Sequence, residues 1–234
     1  MENQIFNDDC FNVFNKIEKD TVDMVLVDLP YGQTACEWDI KIDLQKMWKE
    51  LKKICKDKCQ FVFFTTTKYG NDLINSNKQY FKYDLVWEKH IAVGFLNCNK
   101  MPLRSHEMIY IFNNRKSSYN PQKVSGEPYY RHRGERKDGV YGVSISKEII
   151  NKGERFPKSV LKYGRDKKKL HPTQKPLELC EWLIKTYSNE GDLVLDFCMG
   201  SGTTPMACKN TNRRYIGIEK DKDIFKTAEE RLKC

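Results

Sequence analysis

No apolar run in this chain of 234 residues approaches the roughly 20 needed to span a bilayer as a helix, so no membrane-spanning helix is expected. The N-terminus, Met1-Glu2-Asn3-Gln4-Ile5, lacks the charged and apolar blocks of a signal peptide, which implies a protein that stays in the cytoplasm. No Gly-Lys-Ser or Gly-Lys-Thr is present, which argues against a triphosphate-cradling loop. Disulfide chemistry is also not expected. The nine cysteines, at 10, 36, 55, 59, 98, 180, 198, 208 and 234, are odd in number and carry no secretory context, so they read as reduced thiols. Only Cys55 and Cys59 lie close together, and no second pair at ligand spacing completes the four ligands of a structural zinc site. Both read as core or surface thiols, and no metal is expected. Internal repeats and low-complexity tracts are missing too.

What is present is enough for a packed domain: 39% hydrophobic and 12% aromatic residues. The net charge of +9 is unevenly placed. Residues 113–170 hold 16 Lys and Arg against 6 Asp and Glu, whereas the rest of the chain holds 25 against 26. Solubility alone does not demand such a concentration, but a polyanion-binding surface does.

Three blocks follow. In residues 1–112, Val22 to Val27 and Phe61 to Phe64 read as buried strands, and Tyr83 to Trp87 and Met108 to Phe112 as further strands. Between the first two, Leu44, Met47, Trp48, Leu51, Ile54 and Cys55 recur at helical spacing along one face. Residues 113–170 break this rhythm with six glycines and several tyrosines, and read as an irregular insert. In residues 171–234 the rhythm returns, with helices over 177–187 and 223–232 and strands over 192–197 and 214–219. Strand and helix alternate, so an α/β fold with a parallel sheet covered by helices is expected.

Two strand ends carry chemistry. Asp196-Phe197-Cys198-Met199-Gly200-Ser201-Gly202-Thr203-Thr204 places glycines between a strand and a helix, where the backbone can approach a ligand and free N–H groups are available. Glu219 ends the next strand, 23 positions after Asp196, the distance at which an acid holds ribose hydroxyls in nucleotide-type folds. An adenosyl ligand is the favoured reading. Asp28-Leu29-Pro30-Tyr31 follows directly on the strand ending at Val27. Pro30 biases Leu29 toward an extended backbone. The Asp28 carboxylate and the Leu29 carbonyl then become two acceptors suited to an amino group, with the Tyr31 ring as a flat face beside them.

Asp28-Leu29-Pro30-Tyr31 resembles the Asp-Pro-Pro-Tyr catalytic motif of DNA amino-methyltransferases. Asp196 to Thr204 is similar to their cofactor motif, and His171-Pro172-Thr173-Gln174-Lys175-Pro176 to the motif that encloses the methionine end of the cofactor. The order of the three is the circularly permuted one of the β class, in small enzymes of phage and prophage type. Smaller matches are Trp38-Asp39, Phe95-Leu96-Asn97, Ser105-His106-Glu107 and Arg155 to Leu161. The resemblance implies a Rossmann-like methyltransferase fold, with 1–112 the catalytic half, 113–170 a target-recognition insert and 171–234 the cofactor half. It implies S-adenosylmethionine held by Asp196, Phe197, Met199, Gly200, Ser201, Gly202, Thr203, Thr204, Glu219, His171, Thr173, Gln174, Lys175 and Pro176. Double-stranded DNA is the implied substrate, with a homodimer and a cognate restriction endonuclease as further associations.

Leu29 departs from the usual Pro but keeps the carbonyl that the position contributes. Asp rather than Ser at position 28 favours adenine N6, and cytosine N4 stands as the alternative. A DNA-binding protein with a lapsed site is the remaining reading. Methylation of a protein glutamine is disfavoured, since that tetrapeptide begins with Asn. No covalent enzyme–base intermediate is required, so none of the cysteines is expected to act as a nucleophile, and His106 reads as structural. Within the insert, Arg131, Arg133, Arg136 and Lys137 cluster near Tyr129, Tyr130 and His132, a mix suited to base and phosphate contacts, and Lys167, Lys168 and Lys169 form a plainer phosphate clamp.

Overall fold

The apolar run beginning at Val22 forms the strand around which the rest is laid out. The computed structural model describes residues 2–32, 41–115, 117–134, 136–138, 142–144, 147–166 and 174–233. In chain order its first elements are β1 (Gln4–Asn7), α1 (Cys10–Phe14), β2 (Val22–Asp28), α2 (Leu44–Ile54), β3 (Cys55–Thr65), α3 (Thr67–Ser76), β4 (Phe81–Val93) and β5 (Arg104–Asn113). Short strands follow: β6 (Val124–Ser125), β7 (Tyr129–Arg133), β8 (Arg136–Asp138), β9 (Gly142–Ser144), β10 (Lys147–Asn151) and β11 (Glu154–Arg155). The chain ends with β12 (Val160–Tyr163), α4 (Leu177–Tyr187), β13 (Leu193–Asp196), α5 (Thr203–Asn210), β14 (Arg214–Glu219) and α6 (Lys222–Lys233).

Eight strands make one sheet in the order β1-β14-β13-β2-β3-β5-β4-β12. Its pairs are parallel except where β5 meets β3 and β4. Strand–helix alternation leads to the expectation of a parallel sheet, which five of the seven pairings meet, and β5 is the departure. No crossover helix separates β4 from β5; the short connection 94–103 turns the chain straight back, which forces antiparallel pairing.

Side chains on successive strand residues point to opposite faces, and the core divides accordingly. Val25 and Val27 of β2, with Phe61 and Phe63 of β3, pack with α1, α2 and α3, whereas Met24, Leu26, Val62 and Phe64 pack with α4 and α5. Both faces are covered, which is why these strands read as continuous apolar runs. Helix α2 starts where the Asp43 carboxylate accepts the N–H groups of Gln45 and Lys46, and it buries Met47, Trp48, Leu51 and Ile54 on one face. Cys55 and Cys59 lie buried in β3, and burial pushes the Cys59 thiol well above its usual range.

From β13 the chain goes through α5 to β14 on one side, and from β2 through α2 to β3 on the other. The neighbours β13 and β2 therefore flank a switch point, and in open α/β sheets ligands bind beyond the C-terminal ends of such strands. Among the described residues no helix is long and apolar enough to cross a membrane.

The chain divides into two compact units: residues 1–120 with 159–234, and residues 121–158. The second is narrower than the basic 113–170 segment, because the ends of that segment are claimed by the sheet. Asn113 closes β5, and Val160 to Tyr163 pair with Val86 to Lys89 of β4. Within the second unit β7 pairs with β10, β6 with β11 and β8 with β9, all antiparallel. The Arg155 guanidinium stacks over Tyr129 at 4.9 Å and hydrogen-bonds Asn151 and the Glu127 carbonyl, standing in for an apolar core.

Candidate active site

Asp28 is the last residue of β2 and Asp196 the last of β13, so the switch point carries two carboxylates. Both Asp28 oxygens are engaged. The Tyr31 hydroxyl donates to Oδ1 at 2.6 Å and the Lys175 ammonium to Oδ2 at 2.5 Å. Burial, reinforced by the Asp28 charge, holds the Tyr31 hydroxyl well above its usual pKa, so it remains a neutral donor. Its ring leans on Tyr69, with centroids 5.2 Å apart and planes at 47°.

Lys175 also stands 3.3 Å from Glu107 Oε2, and Glu107 pairs in turn with Lys89. Burial alone would favour neutral forms in this chain of charges. The Asp28 and Glu107 carboxylates outweigh burial at Lys175 and raise its pKa. Lys175 and Lys89 likewise outweigh burial at Glu107, whose carboxyl stays below its usual range. The result is an alternating row, Lys89–Glu107–Lys175–Asp28, with equal numbers of positive and negative groups. The Lys175 side chain is 11% exposed, so its charge is costly unless paired, and that pairing fixes the orientation of Asp28.

The glycine-rich turn leaves β13 with Gly200 at φ +53° and Gly202 at φ +77°, left-handed conformations that other residues resist. A Cβ at Gly202 would lie 3.2 Å from the Cβ of Ala228, whereas one at Gly200 would meet nothing within 4 Å, so the backbone at Gly200 borders open space. The Glu219 carboxylate accepts Gly200 N–H at 3.0 Å on Oε2 and Asp221 N–H at 2.8 Å on Oε1. A carboxylate has about four acceptor sites, so roughly two remain for a diol. Burial raises the Glu219 pKa above the ordinary carboxylate value. It raises Asp196 further, to about 7, against hydrogen bonds from the Thr204 hydroxyl and the Cys198 N–H.

A second clamp ties the turn to the start of α4. Asp166 accepts the Gln174 side-chain amide at 2.6 Å and Leu177 N–H at 3.0 Å, and lies 3.8 Å from the Arg231 guanidinium. Arg231 donates to the Ser201 carbonyl at 3.2 Å and the Thr203 hydroxyl at 2.9 Å.

The structure thus gathers Asp28, Leu29, Pro30, Tyr31 and Lys175 at one strand end, and Asp196 to Thr204 with Glu219 at its neighbours. Leu29, Phe197, Met199, Ser201, Thr203, Thr204 and Pro176 are buried, and Pro176 caps α4. Lys175, expected near the methionine end of a cofactor, reaches Asp28. His171, Thr173, Lys167, Lys168 and Lys169 lie outside the described residues. Arg131 and Arg133 are exposed on β7, and Arg136 and Lys137 belong to β8. Four participants escaped the sequence reading: Lys89, Glu107, Asp166 and Arg231. Glu107 appeared there only within a minor match, and Asp166 is the lone acid in a basic run. Among the described residues no group of three or more His, Cys, Asp or Glu side chains is placed to hold a metal ion.

The chain is similar to the Type II methyltransferase M1.MboII of Moraxella bovis, 27% identical over 255 residues that cover 97% of this chain and 95% of the relative. The solved M1.HpyAVI–SAM complex matches its fold with a TM-score of 0.67 at 24% identity, covering 98% of this chain and 99% of the other. The cytosine-N4-specific PvuII DNA methyltransferase does so with a TM-score of 0.71 at 15% identity, covering 98% and 86%. Residues 22–230, nearly the whole α/β unit together with the basic insert, match the profile of the N6/N4 methyltransferases, described as DNA methylase. The chain belongs to that DNA methylase family.

Proposed function

We propose that this DNA amino-methyltransferase, with S-adenosylmethionine as its cofactor, methylates adenine at N6. One observation carries the reading. At the switch point an oriented carboxylate, Asp28, lies across from a glycine turn whose Glu219 retains acceptor sites. Bound S-adenosylmethionine supplies an electrophilic methyl group on sulfonium.

The chain's own residues do the rest. Glu219 holds the ribose hydroxyls, and the open backbone at Gly200 lets the ligand pass close. An exocyclic amino lone pair is delocalised into its ring and is a poor nucleophile. Hydrogen bonds from that amino group to the Asp28 carboxylate and the Leu29 carbonyl localise the pair toward the methyl group. As the nitrogen–methyl bond forms and the methyl–sulfur bond breaks, positive charge builds on nitrogen and Asp28 stabilises it. The methylated amino group then sheds one proton to solvent. Tyr31 and Lys175 keep Asp28 aimed before the base arrives, which lowers the ordering cost. The Lys175 charge offsets part of the Asp28 charge, and Glu107, shared between Lys175 and Lys89, limits that offset. The base reaches this point by leaving the helix and stacking on Tyr31.

Asp at position 28 is the feature that favours adenine. The expected result is N6-methyladenine in the nucleosides of DNA incubated with the protein and cofactor, read by mass spectrometry. N4-methylcytosine in its place would transfer the assignment to cytosine. Association with a restriction endonuclease is a further proposal, supported by the Type II relatives.

The exposed Arg131 and Arg133 belong to target recognition. Replacing either with Ala should shift the preference between cognate and non-cognate duplexes by roughly tenfold, the scale of one base-edge hydrogen-bond pair. Neutralising Lys167, Lys168 and Lys169 should instead weaken all duplexes alike, and flatten the salt dependence by about one unit of slope for each phosphate left without its cation. Anisotropy titrations at several salt concentrations separate the two. Equal behaviour of both sets would refute the division of labour.

A further inference from the structure

The β4–β5 connection presents an apolar tip that no core explains. Leu96 is 97% exposed and Phe95 76%, and Ile91, Met101 and Leu103 are exposed beside them. Single exposed apolar residues are ordinary, but five on one hairpin mark a binding surface. The tip is ordered. Gly94 at φ +94° starts a short helical turn, Phe95–Asn97, and Cys98 N–H bonds the Phe95 carbonyl at 3.0 Å and Lys100 N–H the Asn97 carbonyl at 2.8 Å. That turn holds Phe95 and Leu96 outward.

Two observations identify the occupant. The first is charge. Between Glu88 and Glu107 the chain has no acidic residue, while Lys100 and Arg104 are exposed along with the apolar group. A cationic, acid-free frame around apolar side chains matches a polyanion with stacked apolar interiors. The second is position. Because β5 runs antiparallel to β3, its first residues lie at the rim where β2 and β3 end, the rim of Asp28. Arg104, paired with Val93 at the base of the tip, is three residues from Glu107, or about 10 Å along the strand.

We propose that the 94–103 tip is a wedge that enters the duplex beside the target base, with Phe95 and Leu96 filling the stack that the flipped base leaves. The inference rests on the base-flipping methyltransferase reading above. Apolar side chains inserted between base steps are an established way to offset unstacking.

The test uses the full chain and a duplex containing its mapped methylation site, with 2-aminopurine next to the target base. Phe95→Ser with Leu96→Ser should lower affinity for the paired duplex by roughly tenfold, the scale of one base stack. It should also reduce the fluorescence rise that reports unstacking. On a duplex whose target base is mismatched, and already partly unstacked, the defect should shrink to about twofold. Cofactor affinity and melting temperature should stay at wild-type values, because both side chains are exposed. An equal defect on both duplexes, or none on either, overturns the wedge while leaving the methyltransferase reading intact. A fall in particle mass by half in sedimentation overturns it differently, assigning the tip to a second copy of the chain. Wild-type protein that methylates no DNA defeats the underlying reading, and the wedge with it.

Discussion

Asp28→Ala should lower the rate of methyl transfer by about 100- to 1,000-fold, the usual cost of removing one preorganised group that stabilises transition-state charge. Cofactor affinity should remain within about twofold of wild type, because the partner assigned to Asp28 is the base. The structure adds a complication and the means to control for it. Asp28→Ala leaves the Lys175 ammonium with Glu107 as its remaining acidic neighbour, and stripping a buried charge of one partner can destabilise a protein by itself. Asp28→Asn deletes the charge but keeps one oxygen, which accepts from Lys175 while the Tyr31 hydroxyl faces the amide nitrogen and can accept from it. It should melt above Asp28→Ala, though below wild type because Lys175 has lost a counter-charge, and still be severely slow. Single-turnover rates with calorimetry of cofactor binding check both variants. A near-normal rate in a folded Asp28→Asn protein would show that the carboxylate charge does not drive the chemistry.

The parts of this site that were legible in the sequence are those that local pattern encodes. Asp28, Asp196 and Glu219 each end an apolar run, and strand ends in an α/β sheet are where ligands bind. Their partners were not legible, since Lys175 meets Asp28 across 147 positions and no spacing rule reports such a meeting. Lys89 and Glu107 sit on the hairpin strands β4 and β5, and only the antiparallel turn brings them together.

The fold divides in the same way. Strands β2 and β3 announce themselves because both of their faces are buried. Helix α3 was missed, because Lys68, Gly70, Asn71 and Asp72 dilute a pattern that buries only Tyr69, Gly70 and Leu73. Gly70 is required by packing, since a Cβ there would strike the Tyr110 ring. Strand β1 has only four residues, with exposed Gln4 and Asn7 at its ends, and it forms by pairing along β14 rather than through an apolar pattern. Strand β12 lay concealed in the basic segment: Leu161 is its only buried residue, and pairing with β4 creates it.

Glu219→Ala should weaken S-adenosylmethionine binding by roughly 10- to 150-fold, since hydrogen bonds to a charged group contribute about 1.5–3 kcal/mol. Two effects add here. The variant loses the acceptors proposed for the ribose hydroxyls, and it also frees the Gly200 N–H that Glu219 now holds in place, loosening the turn at its most open point. Glu219→Gln separates them, because its amide oxygen can still accept from Gly200 while the charge is gone; it should recover part of the loss. The pH dependence gives an independent sign. Burial raises the Glu219 pKa in the free protein, so the carboxyl is protonated at a higher pH than an exposed one would be. Hydroxyl donors favour the ionised form, so cofactor affinity should fall as pH drops through that raised pKa. Asp196, pushed up to about 7 by its own burial, titrates higher and remains in the variant. Calorimetry across the acid range should therefore show the fall that belongs to Glu219 vanish in Glu219→Gln, whatever Asp196 contributes. An unchanged profile and affinity in folded Glu219→Ala would remove the residue from the cofactor site.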